Sequence, residues 1–160
     1  MKNKFLTFVC ILIIPAVTAW SWGIGLQLDA GFSGGKMGGG PSVTFKLDSV
    51  PLVFAVNLDI TENYFTMGLT ADHWIFNKQI HPEFPVQWFV GYGAFGRIGF
   101  GDINTFVAGA RLPIGINAFF ADGFFEPYLQ VAPSMGIRMA PGFRFPEWYL
   151  PFSLGFRLWF

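Results

Sequence analysis

The sequence predicts an all-β fold, an eight-stranded antiparallel up-and-down transmembrane β-barrel, from three observations. Aromatic residues make up 19% of the 160-residue chain and charged residues only 12%, about half of the roughly 25% charge a soluble domain carries. Such a chain cannot cover its surface with charge. Beyond the first 25 residues no apolar run reaches the roughly 20 residues that a membrane helix needs. The third observation is an apolar alternation of period two that recurs to the last residue, the pattern of strands whose side chains point to opposite faces. A membrane barrel reconciles all three, because it turns its apolar face to lipid and keeps its polar side chains inside.

The N-terminus reads as a signal peptide over residues 1–19. Lys2 and Lys4 form a basic start, Phe5 to Val17 is an apolar stretch too short to span a bilayer, and Val17-Thr18-Ala19 is a small-residue cleavage site. Residues 20–160 are then the barrel domain. Cys10, the single cysteine, leaves with the signal, so the mature chain is expected to have no disulfide, thiol nucleophile or cysteine metal site. Loss of Lys2 and Lys4 leaves eight basic residues against ten acidic ones. That balance argues against nucleic acid as a partner.

The strands follow in order. The first sets Trp22, Ile24, Leu26 and Leu28 against Gly23, Gly25, Gln27 and Asp29. A short second sets Val43, Phe45 and Leu47 against Ser42, Thr44 and Lys46. In the third, Leu52, Phe54, Val56 and Leu58 oppose Asn57 and Asp59. In the fourth, Phe65, Met67, Leu69 and Ala71 oppose Tyr64, Thr66, Gly68, Thr70 and Asp72. The fifth alternates Trp88, Val90, Tyr92, Ile98 and Phe100 with Gln87, Gly91, Gly93 and Arg97. The sixth alternates Phe106, Ala108, Ala110, Leu112, Ile114 and Ile116 with Thr105, Gly109, Arg111, Gly115 and Asn117. The seventh sets Phe125, Leu129, Val131, Met135 and Ile137 against Glu126, Tyr128, Gln130, Ser134, Gly136 and Arg138. The eighth is the clearest: Phe152, Leu154, Phe156, Leu158 and Phe160 against Ser153, Gly155, Arg157 and Trp159.

Turn-forming residues separate the strands at 33–40, 48–51, 61–63, 77–85, 101–104, 121–123 and 140–147. Pro113, Pro127 and Pro133 fall inside strands, each removing a ladder donor, so irregular pairing is expected there. With an even strand number both termini lie in the periplasm, and 33–40, 60–63, 101–104 and 139–147 face outside. Trp22 and Trp88, with Trp148 and Tyr149 of the last outer loop, are candidates for an aromatic girdle at the membrane interfaces. Trp74 and Trp159 face inward by parity and are placed to cap the lumen.

The run 152–160, with its terminal Phe160 and alternating Phe152, Leu154, Phe156 and Leu158, resembles the C-terminal assembly signal of bacterial outer-membrane proteins. That resemblance implies a bacterial outer-membrane location, outer-membrane lipid as surroundings and the barrel assembly machinery as a partner. With the eight segments, the mature chain resembles the OmpA/OmpX/OmpW-like class of small barrels, and a monomer is expected. The stretches 109–117 and 125–133 also resemble a poorly characterised group of spirochaete barrels. Two departures bear on function: the loops 60–63 and 101–104 are too short for OmpX-type protruding strands, and the turn 77–85 is long.

The inward charges are the most informative polar set. Arg97, Arg111, Arg138 and Arg157 are basic, Asp29, Asp72 and Glu126 acidic, with Lys46 and Asp59 nearer the ends. The interior of an eight-stranded barrel is just wide enough for side chains to fill it, so buried charges must pair. Arg111 and Glu126, on consecutive strands, are the first pair expected. The plain reading is a salt-bridged, filled lumen with a structural or interaction role. The functional alternative is a narrow pathway for small hydrophobic or anionic solutes, as the OmpW-like resemblance implies. A soluble lipocalin-like periplasmic binder is a third reading, opposed by charged, glycine-rich inward faces. No enzyme is expected. His73 and His81 lie at the opposite end from Ser33 and Ser134, which leaves no hydrolase triad. They read as an interfacial and a loop histidine, not as a metal site. The glycines 34–35 and 38–40 read as a flexible loop, with no nucleotide or other cofactor site.

Overall fold

The structure, a computed structural model, describes residues 21–33, 36–61, 64–101 and 103–160. The expected signal peptide and its cleavage site lie outside the described residues. The chain forms strands β1 (Trp22–Ser33), β2 (Lys36–Leu47), β3 (Leu52–Thr61), β4 (Tyr64–His81), β5 (Phe84–Phe100), β6 (Thr105–Arg111), β7 (Ile114–Ala118), β8 (Phe125–Val131), β9 (Ser134–Ala140) and β10 (Arg144–Trp159). Among the described residues no helix is long and apolar enough to cross a membrane.

Among the described residues ten segments make eight spans. β6 and β7 are one span broken at Leu112-Pro113, and both halves pair with β5. β8 and β9 are one span broken at Ala132-Pro133, and both halves pair with β10. Every pairing is antiparallel, and β10 also pairs with β1 from Gly23↔Trp159 to Phe32↔Leu150. The last strand therefore closes on the first. Trp22 and Phe160 exchange both backbone bonds, at 3.1 and 3.0 Å, so the closing seam is laddered to its end. Residues 21 and 160 lie at one end with the turns 48–51, 82–83 and 119–124 (the terminal end). The other is the far end.

The prolines explain the breaks. Gly91 N donates to Pro113 O at 2.9 Å, Leu112 N to Pro133 O at 3.0 Å and Ala132 N to Pro151 O at 2.9 Å. Each pair would exchange two bonds in an unbroken ladder, but proline has no N–H to return the second. Pro127 acts at an edge: the β7–β8 register ends at Asn117↔Tyr128, one step before it. Pro41 does the same between β2 and β3, whose ladder stops at Ser42↔Asn57.

Several segments expected as loops are strands. Gly38, Gly39 and Gly40 lie in β2, opposite Gly31, Ala30 and Asp29, so the second strand is not short. At Gly39 a Cβ would run into the Asp29 carbonyl, and at Gly40 into that of Leu58. These glycines allow close strand approach and do not form a flexible loop. The expected turn 77–85 is instead an extension of the β4–β5 hairpin down to His81↔Phe84, past a bulge between Trp74 and Phe76. Only Pro82 and Glu83 form its turn. The expected loop 139–147 shrinks to 141–143, because β9 runs to Ala140 and β10 starts at Arg144. The turn 121–123 is as expected, with Ala121, Asp122 and Gly123 all at positive φ.

The faces alternate through both proline breaks without a change of parity. Leu26, Val43, Val56, Leu69, Ile114, Leu129 and Leu154 are exposed on the outer wall. Two aromatic belts flank this aliphatic band. At the terminal end Trp22 packs on Phe45 and Phe160, and Phe76 stacks on Trp88. At the far end Phe32 meets Phe152, and Phe65 stacks on Phe100.

Gly25 faces inward, and a Cβ there would strike the Phe156 carbonyl and the Arg157 Cα, neither free to move. Gly25→Val is expected to cost about 1–3 kcal/mol of stability, as overpacking does. Gly96→Ala, with nothing within 4 Å, should stay within about 0.5 kcal/mol. Urea unfolding in lipid vesicles, followed by tryptophan fluorescence, measures both.

Candidate functional site

The inward side chains stack in three tiers along the barrel. The lowest, near the terminal end, is built on Glu126, whose side chain is fully buried. Its Oε2 lies 3.0 Å from Arg157 Nη1 and accepts from Trp159 Nε1 at 2.9 Å. Its Oε1 accepts from Asn117 Nδ2 at 2.8 Å and from Lys46 Nζ at 3.4 Å. Register brings these groups together. Arg157 is directly opposite Glu126, while Gly23 stands between Lys46 and Trp159 and leaves room for the indole. The two cations also cap rings. Arg157 Cζ sits 4.0 Å from the centroid of Tyr128, and Lys46 Nζ sits 4.1 Å from that of Trp74. The Trp74 ring in turn stacks on Phe89 at 3.8 Å and 8°.

The middle tier holds one ion pair and one carboxylate, Asp29, bonded only to neutral donors. Asp29 accepts from the Ser42 hydroxyl, from Ser153 Oγ at 2.5 Å and from Gln27 Nε2 at 2.8 Å. Tyr128 donates to Gln27 Oε1 at 2.5 Å. Arg111 Nε lies 3.1 Å from Asp72 Oδ1, both side chains buried.

The far-end tier holds Arg97, 4.0 Å from Asp59 Oδ2 with its guanidinium 4.5 Å from the Tyr149 centroid. Arg138 Nη2 lies 2.7 Å from Glu147 Oε1, and Arg144 Nε approaches the same oxygen at 3.8 Å.

Two expectations need correction. Arg111 does not pair with Glu126. Asn117 lies opposite Tyr128, which sets Glu126 level with the terminal-end turn, whereas Arg111 lies opposite Ser134, well up the barrel. Arg111 reaches across β5 to Asp72, and Glu126 takes Arg157 and Lys46. Tyr149 does not belong to an outer girdle. It points inward beneath Arg97, while Trp148 and, at the other end, Trp22 and Trp88 face out.

Other placements follow parity. Trp74 and Trp159 face the lumen, and His73 lies outside against Tyr92, ring centroids 5.1 Å apart. His81 accepts from the Glu83 amide in the hairpin turn. Among the described residues no group of His, Cys, Asp and Glu side chains could hold a metal ion. Sequence reasoning missed Phe89 and Phe95, both inward and buried. Parity with Gly91, Gly93 and Arg97 marks them; Gly115 opposite Phe89, and Gly136 two strands from Phe95, provide their space.

Cavities lie at both ends of the interior. A hollow of about 550 Å³ opens at the terminal end beside Lys46, Asn77, Gln87 and Trp159. A pocket of about 210 Å³ lies at the far end beside Arg97, Arg138 and Tyr149. Between them lies a gap of about 10 Å³ beside Asp29 and Tyr149.

This wall, closed and polar inside, has solved counterparts. Neisserial surface protein A superposes with a TM-score of 0.53 at 12% identity, over 88% of this chain and 97% of that one. The fold is that of a small outer-membrane β-barrel. The N-terminal β-barrel domain of Pseudomonas aeruginosa OprF gives 0.48 at 13% identity, over 85% and 97% of the two chains. A major outer membrane protein from Thermus thermophilus gives 0.44 at 12%, over 87% and 99%. No family model and no curated protein matches the sequence.

Glu126 is the anion that two buried cations share, so Glu126→Gln is expected to destabilise the barrel by about 3–5 kcal/mol, the cost of stranding buried charge. Adding Lys46→Met should recover part of that loss. The urea midpoints of the single and double variants, compared with that of the unaltered chain, measure the coupling.

Proposed function

We propose that this chain is an integral protein of the bacterial outer membrane whose barrel, largely filled, serves a structural or interaction role. The supporting observation is the inversion of its faces: an apolar outer wall between two aromatic belts, around an interior that holds the ion pairs. A barrel of the lipocalin kind has the opposite polarity. In this reading residues 1–19 direct export and are removed, and residues 20–160 form the barrel. The terminal end faces the periplasm. The outward residues of β10, Phe152 to Phe160 at alternate positions, present the pattern that the barrel assembly machinery recognises.

The same reading makes the protein a monomer without enzymatic activity. Among the described residues neither histidine is bonded to a serine: Ser42 and Ser153 donate to Asp29, and Ser134 donates to the Ala132 carbonyl. A narrow pathway for small hydrophobic or anionic solutes is the second reading, favoured by the two end cavities and the arginines between them. It would require the Glu126–Arg157–Lys46 cluster to part, breaking bonds in a water-poor interior where they are strongest.

Two measurements test the proposal. Unboiled protein from outer-membrane fractions is expected to migrate differently from boiled protein on a gel, as a detergent-resistant barrel does. Recovery in the soluble periplasm would overturn the location. In planar bilayers the purified barrel is expected to show no steady ion conductance. Steady conductance would overturn the closed lumen in favour of the pathway.

A further inference from the structure

We propose that the far-end pocket binds a small organic monoanion, a carboxylate carried on a flat or apolar body, and holds it without passing it on. The inference goes beyond the role proposed above and rests on the barrel fold alone. Charge is the first argument. Among the described residues the mouth gathers three guanidinium groups, Arg97, Arg138 and Arg144, against two carboxylates, Asp59 and Glu147. Two of the cations share Glu147, and Arg97 reaches Asp59 only at 4.0 Å. On the pocket wall itself, among the described residues, two guanidinium groups (Arg97 and Arg138) face one carboxylate (Glu147), while Asp59 and Asp29 lie below it beside Arg97 and Tyr149.

The second argument is donor geometry. Guanidinium donors are arranged in a fork that suits carboxylate oxygens, and Arg138, about 35% exposed, lines the pocket with its Nη2 2.7 Å from Glu147 Oε1. Glu147 also fixes the direction of that fork. Its short contact holds Arg138 against β10, so the donors are oriented before any ligand arrives.

The third argument is shape. Phe95 and the Tyr149 ring line the pocket below the charges, and the Thr66 hydroxyl is at the wall. At about 210 Å³ the space is smaller than the ~300–1,000 Å³ of sites for drug-sized ligands. It suits a short acid with a ring or a branched chain. The filled middle tier closes the floor, so the ligand has no onward route. This site differs in kind from the terminal-end hollow, whose Lys46 is already held by Glu126 and two indoles.

The test is isothermal titration of the full chain, folded in detergent micelles, with benzoate, benzyl alcohol and benzylammonium. Benzoate is expected to bind saturably, and the neutral and cationic analogues at least about tenfold more weakly, a difference of about 1.4 kcal/mol. Arg138→Gln and Arg97→Gln are each expected to weaken benzoate by a similar factor while keeping heat-modifiable migration. Lys46→Gln should leave benzoate binding unchanged. Absence of saturable benzoate binding up to about 10 mM, where a site with a Kd of about 1 mM would be nearly full, overturns the proposal on the unaltered chain, whatever the variants do. Equal binding of benzyl alcohol overturns the anion. Loss on Lys46→Gln with Arg138→Gln unaffected overturns the location.

Discussion

A strand that crosses lipid cannot keep a free edge, because no water is there to satisfy its N–H and C=O groups. The pairing of β1 with β10 meets that demand, and the remaining architecture follows from it. Closing eight spans makes an interior only as wide as its side chains. Everything that points inward must therefore fit and be bonded to its neighbours. The glycines beside Phe89, Phe95 and Trp159 answer the demand for space. The Glu126, Asp72 and Glu147 pairs answer the demand for charge.

The tiers differ in how tightly they meet it. At the terminal end the pairs are dry, with Glu126 and Arg157 almost wholly enclosed. At the far end Arg138 and Arg144 remain partly open to solvent, and their contacts are screened. The charged side chains are thus more enclosed below than above.

How much of this could be read from the sequence depends on range. Inward or outward direction is local, because a period of two carries from one residue to the next. The faces of all eight spans are legible even through Pro113 and Pro133. Pairing across the lumen is not local. Lys46 and Glu126 stand 80 residues apart, and which cation reaches which anion depends on the stagger of non-adjacent strands. The Arg111–Glu126 pairing fails on height within one hairpin, where Arg111 stands opposite Ser134 and Glu126 lies below Tyr128. Tyr149 shows a different limit: parity counted back from Phe160 directs it inward, but Pro141, Gly142 and Pro146 make its neighbourhood resemble a loop. Gly38, Gly39 and Gly40 mislead in the same way, since glycine serves close strand approach as readily as it serves a turn.

The prolines bear on mechanics. Pro113, Pro133 and Pro151 stand in successive seams, joined side by side through Gly91, Leu112 and Ala132. Each of these pairs keeps one cross-link where an unbroken ladder has two. A tube wall resists a change of cross-section through its cross-links, so this row is a line along which the tube flexes most easily. In the membrane-embedded reading proposed above, a thicker or thinner bilayer would turn the tube oval along that line.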